Sequence, residues 1–487
     1  MVITDSGAGY SAWGKTALTR WQADATCDNW GSWIYIKDEE SGALWSAAHQ
    51  PVGASATSEE VVFHPHKAEF RRTARQVISR MEIAVCSGDD VEIRRLKLSN
   101  VGQRTRRLLV SSYAEVVLAE QKTDRRHPAF NKLFIEAEYL PELNALLFRR
   151  RARTAEEASV YLIHALVPSQ QTNEVSRYEC DRNRFLGRGG SPAAPSALLE
   201  GGIGLTNTAG APLDPIMALA HSLEIAPGAS GELAYVTAAA SSRKEAVDLV
   251  QRYRDWASIE EAFDRSAHES QRELHLLRLS TPQLRQTHQM LSHLLYPHES
   301  LRASAVTLAA NSLGQTALWP YGISGDYPIV LVHFDKEESA GLVADLLRAH
   351  AYWRSKNLLI DLVIINEQKA DYADEVHHTL QRLFARTESD PWLNRPGGIF
   401  VLRGNELRSA ERTLLETVAR VILYAGEETP EEQLRDIRPS RPPLPPRRCP
   451  ARTRFSSTIA GEVSVRTAKS TLSISSRVSG RRLLGPM

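Results

Sequence analysis

Short apolar runs separated by turn-forming residues dominate the first half of the chain. A clear alternation lies in VEIRRLKLSN, whose apolar positions are Val91, Ile93, Leu96 and Leu98. The charged residues between them, Glu92, Arg94 and Lys97, are expected to face largely the other way, as in a β-strand. CSGDD and SNVGQRT on either side contain the residues that turns favour. Because such strands follow one another without intervening helices, residues 1–242 are predicted to form a large antiparallel sandwich.

The period of the apolar residues changes near residue 243. SSRKEAVDLVQRYRD begins with a serine that can cap a helix, and further stretches with helical spacing follow, so residues 243–312 are predicted to form a helical linker. From residue 313 to 426, buried strands such as YPIVLVHF and LLIDLVIINE alternate with helices. This order predicts a small, mainly parallel α/β domain. Its loops contain neither GxGxxG nor GxxxxGKS, so it is interpreted as a structural module without a nucleotide site.

Charge separates the end of the chain from the rest. Ten arginines, one lysine and one glutamate lie between Arg438 and Met487, which gives this segment +10, leaves −9 for residues 1–437 and gives +1 for the whole chain. Prolines oppose helix formation at the start of the segment, and large apolar groups are few, so residues 427–487 are predicted to be disordered. An acidic body offers no footprint for a polyanion, so nucleic acid is not expected as a partner.

Length and cysteine content narrow the class of protein. A chain of 487 residues is too long for one ordinary core, so two to four domains are expected. We find no apolar run long enough to cross a bilayer and no signal-peptide pattern at the N-terminus. The four cysteines are far apart, which predicts reduced thiols in a cytoplasmic protein. His64 and His66 lack a third ligand nearby in sequence, so no metal or other cofactor is predicted.

Five of the nine tryptophans lie within the first 45 residues. In TRWQADATCDNWGSW, charged residues interrupt the strand pattern beside these rings, and the candidate glycan-binding residues are Arg20, Trp21, Asp24, Asp28 and Trp30. One interpretation is that the rings fill the core while Arg20 pairs with Asp24 or Asp28. The other is that at least one ring stacks on a sugar whose hydroxyls bond to the charged groups. We expect Trp33 and Tyr35 near the core and the loop from Arg20 to Trp30 at an exposed rim.

A second group of aromatic and acidic residues lies in WPYGISGDYP, just before a predicted strand. Irregular loops in such positions often carry binding groups. Trp319, Tyr321 and Asp326 are therefore candidates for contact with a glycan or with a neighbouring catalytic domain, while an ordinary structural loop is the alternative.

Several ordered motifs together resemble one family. They are GYSAWGKTALTRWQADATCDNWGSWIYIKD, EVVFHPHKAEFRR, HPAFNKLFIEAEY, RFLGRGG and LGQTALWPYGISGDYPIVLV. They resemble the C-terminal phosphorylase-like part of bacterial cyclic β-1,2-glucan synthases, which is similar to cellobiose and chitobiose phosphorylases of glycoside hydrolase family 94. The resemblance runs from residue 1 to about residue 435.

The resemblance implies a β-supersandwich, a helical linker and then an (α/α)6 barrel that holds the catalytic carboxylate and the phosphate site. It also implies carbohydrate metabolism: intact synthases are attached to the membrane, and their phosphorylase-like module shortens β-1,2-glucan by phosphorolysis. This sequence is expected to be a truncated carbohydrate-binding portion without the barrel or the synthase half, so no catalytic residue is assigned. The alternative is a non-catalytic glycan-binding or scaffolding subunit that acts with a separately encoded barrel, or as a homodimer.

The tail departs from this family. Residues 461–476 can be encoded by codons whose shifted frame spells GGFSPDGKEYVIHLE, a peptide that resembles the opening of the barrel in the family. We therefore hypothesise that the tail is out-of-frame translation, which sequencing of the genomic locus tests.

Overall fold

The computed structural model describes residues 1–22, 27–152, 154, 157, 159–170, 176–295, 297–336, 339–368, 373–426 and 430–435. The strands up to residue 120 are β1 (Val2–Ile3), β2 (Gly9–Tyr10), β3 (Ala12–Trp13), β4 (Thr16–Thr19), β5 (Trp33–Asp38), β6 (Leu44–Ser46), β7 (Ser58–Phe63), β8 (Ala68–Ala74), β9 (Val77–Val85), β10 (Val91–Asn100) and β11 (Arg106–Glu120). They are followed by α1 (Gln121–Arg126), α2 (Pro128–Lys132), β12 (Ile135–Leu140), β13 (Ala145–Arg150), β14 (Val160–Pro168), β15 (Arg177–Asp181), α3 (Arg182–Leu186), β16 (Pro215–Ile225) and β17 (Ser230–Ala240).

The second half begins with helices and continues with alternating strands and helices. Its elements are α4 (Arg243–Arg252), α5 (Trp256–Leu276), α6 (Thr281–Leu295), α7 (Ala305–Ala310), β18 (Ile329–Phe334), α8 (Ala340–Ser355), β19 (Asp361–Asn366), α9 (Ala373–Arg386), β20 (Ile399–Arg403), α10 (Ser409–Val418), β21 (Val421–Ala425) and α11 (Pro430–Arg435). The predicted fold class, an antiparallel sandwich with helices and a small parallel α/β module, is confirmed.

Two large antiparallel sheets stack to form the sandwich. Sheet A has the order β12-β13-β14-β17-β10-β9-β8-β7, and sheet B has the order β15-β16-β11-β4-β3, with β5 beside β11 and β6 beside β5. Their facing side chains form one core that includes Ile36 and Val110 from sheet B and Phe70 and Leu96 from sheet A. Burial between stacked sheets is what the alternating apolar pattern provides.

Strand β10 is buried on both faces. Leu96 and Leu98 face the core between the sheets, whereas Val91 and Ile93 pack on the opposite face of sheet A. The three-residue step from 93 to 96 in the apolar pattern therefore moves the apolar side chains from one face to the other. As a consequence, Glu92 and Arg94 lie on the same face of the strand as Leu96 and Leu98. The simple alternation suggested instead that they would face away from the protein interior. They are buried, and Arg94 Nε donates to Glu92 Oε1 at 2.7 Å.

Helices α4 and α5 cover the outer face of sheet A. Ile259 and Phe263 of α5 pack there with Val91 and Ile93, and the Arg95 guanidinium lies 4.5 Å from the Phe263 ring centre. Further along the same helix, Leu274 packs against the core of the α/β module. A single amphipathic helix thus contributes to both cores, since its apolar stripe runs along its length.

The α/β module contains four parallel strands in the order β20-β19-β18-β21. Helices α8 and α9 cover one face, with Trp353 as the largest buried side chain among them. Helix α10 covers the other face through Leu414 and Leu415. Because helices cover both faces, the strands are continuous apolar runs rather than alternating ones.

Part of the predicted disordered segment is helical. Helix α11 lies within residues 427–487, and its Leu434 is buried in the core of the α/β module. The prediction was wrong for this turn, because Leu434 is buried in the core of the module and Gln433 bonds to the backbone of β21. Residues 436–487 lie outside the described residues, so disorder there stays a prediction, as does the division of the chain into domains.

Candidate functional site

The N-terminal segment organises the tryptophan-rich stretch. Strands β1 and β2 pair in antiparallel fashion, with Ile3 opposite Gly9. Gly9 has φ +144°, and a Cβ atom at this position would lie 2.0 Å from the Val2 carbonyl oxygen, so only glycine permits this close pairing. The Gly9 N–H donates to the Trp30 carbonyl oxygen at 2.9 Å, which ties the far end of the stretch to this hairpin.

Asp28 is held by two hydroxyl groups of the same segment. Its Oδ2 accepts hydrogen bonds from Thr4 Oγ1 at 2.6 Å and from Ser6 Oγ at 2.5 Å. Asp28 itself has φ +46°, a left-handed conformation that aspartate tolerates better than most residues. Sequence reasoning missed Thr4 and Ser6. A signal was present in TDSG, where two hydroxyl residues flank an acid just before a glycine.

The tryptophans divide between the core and the surface. Trp33 is buried on the outer face of sheet B together with Tyr35, as expected, under a segment that includes Phe185. Trp21 and Trp30 are only half-buried. The Trp21 ring contacts the Tyr10 ring, with 5.2 Å between ring centres. The hairpin therefore contacts Trp21, Asp28 and Trp30. We call residues 2–10 together with Trp21, Asp28 and Trp30 the N-terminal rim.

Arg20 does not lie at an exposed rim and does not pair with Asp28, contrary to expectation. Its side chain is 7% exposed and forms ion pairs with three acids that are distant in sequence, Glu115, Asp124 and, at 3.9 Å, Asp214. Nη1 donates to Glu115 Oε2 at 2.8 Å, and Nε and Nη2 donate to Asp124 Oδ2 and Oδ1, each at 2.9 Å. Asp24 lies outside the described residues. Arg20 is the last residue before the loop and directly follows β4, so a rigid ion pair there fixes where the loop starts.

Glu115 is the centre of a larger charge cluster. Burial raises its pKa, but Arg182 and Arg20 outweigh this effect and hold the pKa below its usual value. Arg182 Nε donates to Glu115 Oε1 at 2.6 Å. The signal for this cluster was a lone acid within the apolar strand sequence LLVSSYAEVVLA, because a buried carboxylate needs a cationic partner.

The second predicted group is only partly assembled. Trp319 lies in a 3₁₀ helix, Gln315–Tyr321, and its side chain is 59% exposed. Tyr321 points to α10, where its hydroxyl donates to Glu411 at 2.7 Å, and burial together with this acceptor raises the pKa of Tyr321 to about 12. Asp326 is exposed and accepts from Gln315 Nε2 at 3.4 Å. Trp319 is therefore the member of this group with a ring face open to a ligand.

A groove of about 530 Å³ lies beside strands β3 and β11, and sequence reasoning did not identify it. It is lined by residues that include Trp13, Thr123 and Arg150. Arg150 Nη1 is buried and has no hydrogen-bond partner within the described part of the chain. The volume lies in the range of small-molecule pockets.

The described residues offer no group of three His, Cys, Asp or Glu side chains that could share a metal ion. Within the same residues, none of the helices combines the length and apolar character needed to span a bilayer.

Sequence comparisons identify relatives that match the region of the chain that contains the sandwich. A family model described as Glycosyl hydrolase 94, supersandwich domain, matches residues 1–256. Cyclic beta-(1,2)-glucan synthase NdvB from Rhizobium meliloti (strain 1021) is 29% identical over 435 residues, which are 89% of this chain and 15% of that protein. N,N'-diacetylchitobiose phosphorylase from Vibrio proteolyticus is 24% identical over 267 residues, which are 54% of this chain and 32% of the phosphorylase. The chain thus spans only a minor part of the length of either relative.

Among solved structures, a bacterial glucoamylase complexed with acarbose matches with a TM-score of 0.30 and 10% identity, over 52% of this chain and 32% of the glucoamylase. A TM-score this low supports no statement about function.

Proposed function

The chain belongs to the glycosyl hydrolase 94 family through its supersandwich domain, as its motifs predicted, and on this premise we propose that its N-terminal rim binds a β-glucan. A relative that aligns with 89% of the chain is a cyclic β-(1,2)-glucan synthase, so the proposed ligand is β-1,2-linked. In this proposal the sandwich holds the glucan chain for the glycosyl-transfer or phosphorolysis chemistry of the family.

The observation that carries the proposal is the uneven burial of the tryptophans. Trp33 and Trp45 are buried in the core, whereas Trp21 and Trp30 are half-buried. The β1–β2 segment contacts both of these residues and also holds the Asp28 carboxylate, through Tyr10, Gly9 and the hydroxyls of Thr4 and Ser6. A sugar places its C–H face on an aromatic ring and donates hydroxyl protons to a carboxylate. Asp28 has already accepted two hydrogen bonds at Oδ2, so Oδ1 is the oxygen proposed to accept from the sugar.

Arg20 acts in this proposal as a positioning residue. The groups at all three of its side-chain nitrogens donate to carboxylates, so it is not proposed to bond a sugar hydroxyl directly. Its backbone N–H donates to the Glu115 carbonyl oxygen at 3.0 Å, which anchors the chain immediately before Trp21.

Intrinsic fluorescence tests the proposal. Linear β-1,2-glucooligosaccharide added to the whole chain is expected to quench or shift the tryptophan emission in a saturable way, and Trp30→Ala is expected to reduce both the response and the affinity. Trp392→Ala removes another half-buried tryptophan, one that packs under Arg354, and is expected to leave the affinity unchanged. Equal responses from wild type and Trp30→Ala would remove Trp30 from the site.

Linkage is tested with the same titration. Cellobiose and laminaribiose carry β-1,4 and β-1,3 links and are expected to bind more weakly than sophorose, which carries the β-1,2 link. Equal affinity for the three disaccharides would show that the rim does not select the linkage.

A second candidate function is docking of a catalytic barrel domain from the same family. The observation that favours it is the exposure of two apolar side chains in one segment, Val306 at 79% and Trp319 at 59%. Co-purification with a separately produced family barrel is expected to be lost in Val306→Ser/Trp319→Ser and kept in Phe63→Ser, which alters an exposed apolar residue of sheet A. Retention by the double variant would contradict docking at this surface.

A further inference from the structure

Four side chains converge at the carboxyl edge of the parallel sheet in the α/β module. His333 is on β18, Glu367 directly follows β19, Tyr424 is on β21, and Arg412 is on α10. We call these residues the switch-point cluster. Sequence reasoning treated this module as structural and singled out none of them.

The topology places this cluster where open α/β sheets bind ligands. From β18 the chain passes through α8 to β19 and then through α9 to β20, on one side of β18. From β20 it returns through α10 to β21, on the other side of β18. The connections therefore diverge between β18 and β21, and a crevice at the carboxyl ends of such a pair is the usual ligand position.

Each member of the cluster is fixed by specific contacts. His333 and Tyr424 are neighbours in register across the two strands, and their rings stack with centres 4.8 Å apart at 11°. Glu367 Oε1 accepts from His333 Nδ1 at 2.7 Å, and Glu367 Oε2 accepts from Arg412 Nη2 at 2.8 Å. Gly404 directly follows β20, and a Cβ atom at this position would lie 2.5 Å from Glu367 Oε2. The residue after β20 therefore has to be small to leave room for Glu367 and Arg412.

The backbone of Tyr424 is held while its ring stays open. Its N–H donates to Gln433 Oε1 at 3.1 Å, and its carbonyl oxygen accepts from Gln433 Nε2 at 2.8 Å. The side-chain amide of α11 thus occupies the free edge of β21. The Tyr424 side chain nevertheless remains 59% exposed.

His333 carries an unused hydrogen-bonding atom. Its side chain is only about one-tenth exposed, and Nε2 is buried with no hydrogen-bond partner among the described residues. The hydrogen bond from Arg412 lowers the pKa of Glu367, so this group is a carboxylate that can only accept. Nδ1 of His333 therefore donates to this carboxylate, and in the neutral form of the ring Nε2 is an acceptor that lacks a donor among the described residues.

We propose that the switch-point cluster binds a neutral sugar unit at the carboxyl edge of the sheet, with the exposed edge of the Tyr424 ring against the C–H groups of the sugar and His333 Nε2 as the acceptor of a sugar hydroxyl. Charge complementarity favours a neutral ligand, because the charges of Glu367 and Arg412 compensate each other and Arg412 is already engaged with Glu367 and the Gly404 carbonyl oxygen. An exposed ring next to an unsatisfied acceptor suits a molecule with one C–H face and O–H donors. This site is separate in sequence from the N-terminal rim and does not rest on the function proposed there.

Histidine NMR on the whole chain tests the proposal. In a ¹⁵N-histidine-labelled sample, the His333 Nε2 signal is assigned by its loss in His333→Phe, which keeps a ring against Tyr424. D-glucose is expected to shift this signal to saturation. Tyr424→Leu is expected to weaken the apparent affinity about tenfold, while Phe63→Leu, an exposed aromatic on the edge strand of another sheet, is expected to leave it unchanged.

The proposals for the two sites can be tested independently of each other. Trp30→Ala is expected to leave the glucose-dependent shift of His333 intact, and Tyr424→Leu is expected to leave the fluorescence response of the N-terminal rim intact. A His333 signal that does not move with D-glucose, or that moves equally in Tyr424→Leu, would overturn the proposal. A shift with glucose 1-phosphate or adenosine but none with glucose would also overturn it.

Discussion

The sandwich and the α/β module each bury a carboxylate, but the two carboxylates have different partners. In the sandwich, Arg20 faces both Glu115 and Asp124, and the pKa of Glu115 is lowered by its cationic neighbours. In the module, Asp361 is fully buried at the start of β19. Its Oδ1 accepts from the Gly397 N–H at 2.7 Å, and its Oδ2 has no hydrogen-bond partner among the described residues. Burial raises the pKa of Asp361 to about 6.

This difference shows that burial alone does not set the direction of a pKa shift. Glu69, on β8, is also buried, yet hydrogen bonds from Arg80 and Arg71 outweigh the effect of burial and lower its pKa to about 2. Cross-strand and same-face neighbours in an antiparallel sheet supply these cations. Asp361 lies at the start of a parallel strand under a loop. At this position it has a backbone hydrogen-bond donor but no cationic partner among the described residues.

The largest expected effect comes from breaking the paired cluster. Arg20→Met removes one of the two cations of Glu115 and both hydrogen bonds that Arg20 donates to the buried Asp124, so the free energy of unfolding is expected to fall by about 3–5 kcal/mol. Urea unfolding monitored by circular dichroism measures the change. Arg265→Met removes one partner of an exposed pair with Glu261 and is expected to leave the midpoint unchanged. Equal effects of the two variants would contradict the special role of the buried cluster.

For Asp361, which has no cationic partner among the described residues, a change of opposite sign is expected. Asp361→Asn keeps an oxygen for the Gly397 N–H and removes the buried charge, so at pH 7.5 it is expected to stabilise the protein by about 1–2 kcal/mol. A raised pKa means that the stabilising contribution of protonated Asp361 is present below about pH 4 and is lost as the pH rises through about 6. The advantage of the variant is therefore expected to vanish at pH 4, and a constant advantage would rule out this explanation.

The two regions should also respond differently to acid. Between pH 7 and 5, amide protection in β19 and β20 is expected to increase as Asp361 binds a proton, while protection in β8 and β9 stays constant. Below about pH 4.5, β8 and β9 are expected to lose protection, because Glu69 has a lowered pKa and its ion pairs are lost as the pH falls towards 2. Hydrogen exchange measured by mass spectrometry follows both regions. In Asp361→Asn, the increase in β19 should be absent.

The smallest expected effect is at Arg354, whose Nη1 is buried without a hydrogen-bond partner among the described residues of the module. Burial lowers the pKa of Arg354 to about 10, and its guanidinium lies 4.2 Å from the Trp392 ring centre. Arg354→Met loses this cation–π contact but also removes a partly desolvated charge, so the stability is expected to change by less than about 1 kcal/mol. A loss of stability as large as that of Arg20→Met would contradict this prediction, because it would mean that an anionic group compensates the charge of Arg354.

The sequence allowed the fold and one side of the candidate site to be predicted. Two-residue and helical periods identified the strands and helices, because each element must bury one face. The clustering of Trp21, Asp28 and Trp30 in a short stretch was visible directly. Thr4 and Ser6 could be seen only as ordinary turn residues, since their pairing with Asp28 spans more than 20 positions.

The sequence by itself determined the order of the elements, the apolar cores and the family resemblance, because these depend on local periodicity and on ordered motifs. The tertiary structure decided which charges share a partner. Arg20 met Glu115 and Asp124 rather than Asp28 because sheet pairing brings β4 beside β11. It also decided that His333, Glu367 and Tyr424 lie at one edge, since each comes from a different parallel strand or its end. Partner identity depends on sheet order and register, which no single segment of the sequence contains.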